Sequence, residues 1–305
     1  MDVIKNISII FTSIFFESLP FLIFGALISS IIETYVSDET IAKMIPKNKV
    51  LGSIVGIFLG FLIPACDCAV IPVSKRLLKK KVPINVTISF MLASPIINPV
   101  VLLSTYSAFY NTNPEIFWYR LLFGILVAII IGIIMGIIFN KKDIITNNID
   151  ECNHEHCHCH DNNKKHAFKG DFLSIFKHTA YDTFEVVKYL MFGAIIASLV
   201  QVLLPKDMLM MFNDNQILSI FVLMMFAYLI SLCSTSDSFV GKSLLSSFSK
   251  TSIMAYLLLG PMIDIKNTFV LLGNYKKSFV ITLISLIFIV IFICSLVVMH
   301  LWKDF

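Results

Sequence analysis

The chain has 305 residues, of which 57% are apolar and only 14% charged, with a net charge of +4 and a mean hydropathy of +0.85. No soluble protein can hide that much apolar surface, so the water-soluble classes are excluded, the lipid bilayer becomes the first expected partner, and nucleic acid is not among the partners expected. Of the seven cysteines, three lie in one hydrophilic loop and four in apolar sequence, which is no secreted disulfide framework.

In chain order, the first apolar segment covers 6–35. It outruns the core of a signal peptide, about 7–15 residues, and it contains Glu17 and Pro20, so it reads as a retained helix. Segment 50–78 is interrupted near its middle by Pro64-Ala65-Cys66-Asp67-Cys68, with Pro72 beyond. Segment 83–110 is interrupted by Ser94-Pro95-Ile96-Ile97-Asn98-Pro99. Proline removes a backbone donor and clashes with the preceding turn, so both helices are expected to break. Unwound backbone at membrane depth survives only against protein or a wet cavity. Residues 64–68 and 94–99 are therefore expected to be non-helical and to face each other inside the protein. Segment 117–140 completes the first half.

The hydrophilic stretch 141–174 follows, and within it residues 152–160 read CNHEHCHCH. Cys152, His154, His156, Cys157, His158, Cys159 and His160 are thiolate and imidazole donors, the preferred protein ligands of zinc. Zinc or another soft metal is the expected cofactor of this loop, although no ordered finger spacing is present. The plainer reading is a His-rich linker, disordered within Asn-rich flanks, that binds metal without taking part in transport. The second half then runs through 175–204, 216–248, 251–273 and 278–302.

The two halves resemble each other. Residues 16–30 align without a gap on 184–198, matching Glu17 with Glu185, Phe24 with Phe192 and Gly25 with Gly193. Leu232-Cys233-Ser234-Thr235-Ser236-Asp237 falls opposite the Cys66-Asp67-Cys68 break, and Gly260-Pro261-Met262-Ile263-Asp264 opposite Ser94 to Asn98. The expected architecture is all-α: a polytopic membrane protein of about eight transmembrane helices in two four-helix repeats, 1–140 and 175–305, with broken helices near the midplane. Four passages per half give a parallel repeat, whereas an odd count would give an inverted one. With eight crossings the N-terminus shares a side with the two most basic loops, 75–81 and 141–178. The positive-inside rule makes that side the cytoplasm of a plasma-membrane protein. Lys276 and Lys277 fall outside in this scheme and count against it.

A carboxylate near the bilayer centre is costly and marks an ion path, a proton relay or a buried pair, which singles out Asp67. Its plainer role is to cap a half-helix. Cys66 and Cys68 flank it as soft-ion ligands, or simply as small buried residues. Glu17 and Glu185 are equivalent in the repeat, and Glu185 can meet Lys188 on its own helix face, a merely structural pairing. Ser94, Asn98, Cys233, Ser234, Ser236, Asp237 and Asp264 are the polar groups at the remaining breaks. Together these residues form the expected substrate path, or else satisfy freed backbone.

The stretches PACDCAVIPVSKRLLKKKVP and FMLASPIINPVVLLS, with STSDSF and GPMID in the second half, resemble the predicted-permease family of bacteria and archaea that includes the organoarsenical efflux permeases. The resemblance implies an eight-helix plasma-membrane permease whose shared motif residues are Cys66, Asp67, Cys68, Pro72, Ser94, Pro95, Asn98 and Pro99. It does not fix the cargo. The His/Cys loop departs from the family pattern and inclines the reading towards a metal cation such as zinc rather than an organoarsenical.

The function expected is thus a permease, not an enzyme, for a small solute, with a soft metal ion or a metalloid as the expected cargo. No phosphate-binding loop is visible, so transport would draw on an ion gradient, a second permease subunit or the cargo's own gradient. Two other classes remain open. A membrane thiol oxidoreductase would use Cys66 and Cys68, although Cys-Asp-Cys sets a negative charge between the sulfurs and disfavours thiolate. A membrane-anchored metal sensor would detect through the loop, although eight helices exceed what an anchor requires.

Overall fold

The computed structural model describes residues 2–35, 46, 48–63, 66–139, 144, 171–203 and 215–303, without the side chains of 2, 3, 32–35, 171–178, 181, 182, 185 and 301–303. Among the described residues there are twelve helices and no strand. They are α1 (Asp2–Tyr35), α2 (Lys49–Leu62), α3 (Asp67–Lys79), α4 (Ile84–Ile97), α5 (Pro99–Phe109), α6 (Glu115–Ile138), α7 (Asp171–Leu203), α8 (Gln216–Ile230), α9 (Ser234–Leu244), α10 (Lys250–Met262), α11 (Ile265–Asn274) and α12 (Lys277–Lys303). The His/Cys segment 152–160 lies outside the described residues.

Two helices make the centre. Every residue of α4 is buried, as is every residue of α10 from Thr251 to Met262. A helix that is apolar all round is one that is covered all round. Close approach comes from small residues, as expected where lipid removes most of the hydrophobic drive between helices. Gly52, Gly56 and Gly60 form a ridge on α2, and a Cβ at each would meet Asn85, the Val86 carbonyl and Ser94 of α4 in turn. On the other side of α4, Gly124, Gly132 and Gly136 of α6 face Ile96, Ser89 and Asn85.

These contacts fix directions. Positions rise together along α2 and α4, so the two run the same way, while α6 runs against them. Since α4 follows α3 through the tight turn at 80–83, and Ser74 of α3 meets Met91 of α4, α3 must run back along α2. The turn closes with Lys81 at φ 64° and with bonds from Val82 N–H to Leu77 O and from Lys81 N–H to Leu78 O, a Schellman stop. The second half repeats the pattern. Ser219 meets Ser252 and Phe226 meets Tyr256, so α8 and α10 are parallel. Asp237 meets Tyr256 and Gly260, and Gly241 meets Leu257 and Ile253, so α9 returns against α10.

Segments 50–78 and 216–248, expected as single passages, each form a hairpin, α2–α3 and α8–α9, that enters and leaves at one end of the molecule. Their apolar arms have only 14 and 15 residues, roughly 21–23 Å at 1.5 Å per residue, against a hydrocarbon core of roughly 30 Å. Among the described residues five stretches are long and apolar enough to span a membrane, and six when α4 and α5, bent by 41° at Asn98, count as one. The expected break at 94–99 is also narrower than read: α4 stays helical through Ser94 and Pro95 to Ile97, and only Asn98 leaves the helix. At the first break Asp67 and Cys68 already belong to α3, Cys66 is extended, and Pro64 and Ala65 lie outside the described residues.

The ends of the molecule follow. The Lys75–Lys81 turn and Lys276–Lys277 lie at one end, here called the basic end, because Ser74 bonds Tyr275 at 2.7 Å and Lys75 donates to Asn274 at 3.0 Å. Ile144, just after α6, accepts from Lys276 N–H at the same end. The 110–115 and 245–250 turns share the opposite end through the Glu115–Lys250 ion pair. Helix α1 runs antiparallel to α7, with Ser30 on Thr179 and Ile14 beside Ala194 and Ala197. The N-terminus therefore starts opposite the basic end, and not beside it as expected from eight crossings.

Candidate functional site

Four half-helices start inside the protein, and they pair across the halves. Asp67 meets Asn267 while Ser74 meets Tyr275, so α3 and α11 lie side by side with both N-termini inside. The other two, α5 and α9, touch through Thr105 and Ser238. Each start is built by its local sequence. Asn98 accepts from Val100 N–H, with Pro99 in the first helical position, and Asp264 accepts from Asn267 N–H at 2.7 Å. Both are caps in the ordinary sense. Asp67 sits in the first turn of α3, where a negative charge suits the helix dipole.

At the α3–α11 start, Lys266 Nζ lies 2.9 Å from Asp264 Oδ2 and 3.3 Å from Asp67 Oδ2, with all three side chains at most 5% exposed. Lys266 also donates to the Ser231 carbonyl, which is free to accept because Ser231 sits at φ 52° where α8 ends. Asn267 Nδ2 donates to Asp67 Oδ2 at 3.0 Å, and the Cys68 thiol donates to Asn267 Oδ1. Three oxygens from two carboxylates and one carbonyl thus surround one tethered ammonium. Beside it lies a small pocket of about 10 Å³, room for about one water, lined by Glu17, Ser18, Cys66, Asp67, Cys233 and Lys266 among others. Two partly buried free thiols, Cys66 and Cys233, reach this pocket from different halves. Among the described residues no group of three His, Cys, Asp or Glu side chains stands ready to hold a metal.

A second polar centre lies between α5, α6, α9 and α10. Arg120, 1% exposed, donates from Nη1 to Thr105 at 2.6 Å and to Ser238 at 2.8 Å. Asp237, 2% exposed, accepts from Tyr256 Oη at 3.0 Å.

A model of a predicted permease family, ArsP_1, matches residues 3–300. The chain belongs to this family. Among its relatives, a UPF0718 protein, YcgR, of Bacillus subtilis is 39% identical over 95% of both chains. A Streptococcus mutans protein, predicted to be a subunit of a two-component membrane permease complex, is 37% identical over 95% of this chain and 93% of its own. No solved structure matches.

Within this ArsP_1 permease, the residues expected from sequence divide. Glu17, Cys66, Asp67, Cys68 and Cys233 meet at the pocket, and Asp264 joins them through Lys266. Ser94 does reach the first break, donating to the Gly60 and Ile63 carbonyls from within α4, whereas Asn98 caps α5. Ser234 is buried and Ser236 half-buried on α9, and Asp237 belongs to the second centre. The side chain of Glu185 and the seven loop ligands lie outside the described residues. Lys266, Asn267, Arg120, Thr105, Ser238 and Tyr256 were missed. The signal for two of them was present, since Lys266 and Arg120 are cations inside apolar runs.

Proposed function

We propose that this chain is the membrane-spanning part of a permease that carries a soft cation or a metalloid species through the Cys66–Asp67–Cys233 pocket. The observation that carries the reading is the convergence of two parallel half-helix starts, a buried carboxylate–lysine cluster and two free thiols on one pocket amid apolar spans. The carboxylates favour a cation, the thiols a soft one, and Lys266 holds the place of that charge until cargo displaces it. The six end-to-end elements are the membrane crossings, three per half, and the two hairpins are re-entrant. Three is odd, so the halves are an inverted repeat, supported by the matching pairs α2–α4 and α8–α10. Placing the basic end in the cytoplasm puts Lys75–Lys81, Lys276 and Lys277 on one side and removes the exception noted above. Glu17, exposed on α1 at pocket level beside Phe16 and Phe21, faces a second permease subunit, in keeping with the name of the streptococcal relative. Loop 152–160 binds zinc or another soft metal and tunes transport without performing it.

Counterflow in proteoliposomes over zinc, copper(I), arsenite and methylated arsenicals tests this. The Cys66→Ser, Cys233→Ser double variant is expected to lose the softest cargo first. Full activity of that variant towards every cargo moved by the parent would overturn the thiol role, and no counterflow of any probe by the parent would overturn the assignment of cargo class.

A further inference from the structure

The Arg120–Asp237 centre has loose ends that the pocket does not explain. Arg120 uses only Nη1; its Nε and Nη2, like Asp237 Oδ2, are buried without a hydrogen-bond partner among the described residues. The two side chains interact electrostatically, yet no contact within 4.0 Å joins them, although a guanidinium and a carboxylate in a dry interior ordinarily close into a forked pair. What Arg120 does instead is hold α5 to α9: its Nη1 bridges Thr105 and Ser238, which are themselves 3.0 Å apart. Two arrangements are thus available to one side chain. In the first, Arg120 clamps α5 and α9 and Asp237 leans only on Tyr256. In the second, its unused edge takes the unused oxygen of Asp237 and the clamp weakens.

We propose that Asp237 is a proton-binding site that couples transport to a proton gradient by deciding which of these two partners Arg120 takes, an inference that rests on the permease reading. With the proton on Asp237 Oδ2 the carboxyl is neutral, and Arg120 remains on the two hydroxyls, the arrangement seen here. When the proton leaves, the carboxylate draws Arg120 away and frees α5 from α9 at the end opposite the basic one. The charged and titratable groups acting on Asp237 are Arg120 from α6, Tyr256 from α10, Lys266 from α11 and Asp67 from α3. Through Lys266 and Asp67 the proton site senses the pocket, because a cation that displaces Lys266 there changes the charge Asp237 feels. The energy source is then the proton gradient across the membrane, and the proton that enters as Asp237 Oδ2–H leaves when the carboxylate is restored.

The test uses the full chain in lipid nanodiscs with spin labels carried on unnatural amino acids at Leu103 of α5 and Phe239 of α9, both exposed, so that the native thiols stay. The label distance is expected to lengthen by several ångströms from acidic to alkaline buffer, within the range of helix shifts in switching proteins. Asp237→Asn should hold the short distance at every pH, and the Thr105→Val, Ser238→Ala pair the long one. A parent that does not respond to pH, or an Asp237→Asn variant that still responds, overturns the proposal. Should Asp237→Asn fail to fold, Asp237→Glu replaces it, with a shifted midpoint expected and an unchanged one overturning the proposal. In proteoliposomes with a trapped pH dye, Asp237→Asn should keep zinc or arsenite exchange but lose pH-driven accumulation at least tenfold; retained accumulation overturns the proposal. A pH-dependent distance in a protein that moves neither probe would count against the permease reading and leave the switch standing.

Discussion

The two polar centres are built from the same parts and finished differently. Each places an acidic residue on a half-helix of one hairpin and a cation on another element, and each lies where a half-helix of one half meets one from the other. At the α3–α11 start the charges are closed: Lys266 touches both Asp67 and Asp264 and a backbone carbonyl. At the α5–α9 contact they are held open, with Arg120 spent on hydroxyls and Asp237 on a phenol. A buried charge without a partner is expensive, and removing one partner from a closed set exposes that full cost. Losing the one cation of the closed centre should therefore cost stability, whereas changes at the open one should cost control.

The largest effect is expected from Lys266→Met, which leaves two buried carboxylates with no cation: a loss of about 3–5 kcal/mol, read as a collapse of folded yield in fluorescence-detected size exclusion, with Lys266→Arg largely restoring it. If Lys266→Met were as stable as the parent, the contrast between the centres would be gone. Asp67→Asn comes next. It keeps a side chain that Asn267 can still bond and leaves Lys266 on Asp264, so the protein should fold while counterflow is abolished. An Asp67→Asn variant that transports like the parent would reduce Asp67 to a structural role.

Two glycines sharpen the comparison further. A Cβ at Gly193 would fall 2.7 Å from Lys266 Cα and 2.9 Å from its carbonyl, backbone that cannot step aside, whereas a Cβ at Gly260 would meet the Asp237 Oδ2 atom at 2.6 Å, the movable tip of a side chain. Gly193→Ala is thus expected to cost about 1–3 kcal/mol by overpacking, visible as a lowered melting temperature in detergent. Gly260→Ala should cost less and instead alter the pH response of transport, since it pushes Asp237 off its present position. The smallest effect is reserved for the rim. Lys250 and Glu115 pair at 2.7 Å but stand 46% and 43% exposed, and Lys250→Ala should shift stability by no more than about 1 kcal/mol with transport intact.

Composition made the membrane class and the eight apolar segments plain, and the proline-bracketed Cys-Asp-Cys run pointed directly at the pocket. What the sequence hid was direction. Whether 50–78 crosses or turns back depends on α2 lying parallel to α4, which the Gly52–Gly56–Gly60 ridge permits but does not announce. Lys266 was hidden for a different reason. It stands two residues beyond Asp264, where attention rests on the cap, and its partner Asp67 is on the other half of the chain. Arg120 was equally isolated within an aromatic stretch, and only the packing of α5, α6 and α9 gives it meaning.

The Asp67–Lys266 pair also sets an order of events at the ribosome. When Asp67 leaves the exit tunnel its counter-ion lies 199 residues downstream, a delay of about 10–40 s at ordinary elongation rates of about 5–20 residues per second. Throughout that interval the first hairpin carries a carboxylate without its Lys266 partner, which raises the cost of settling into the bilayer interior. The nascent first half is consequently an unfinished product, and a chain truncated before residue 266 is one that membrane proteases should remove.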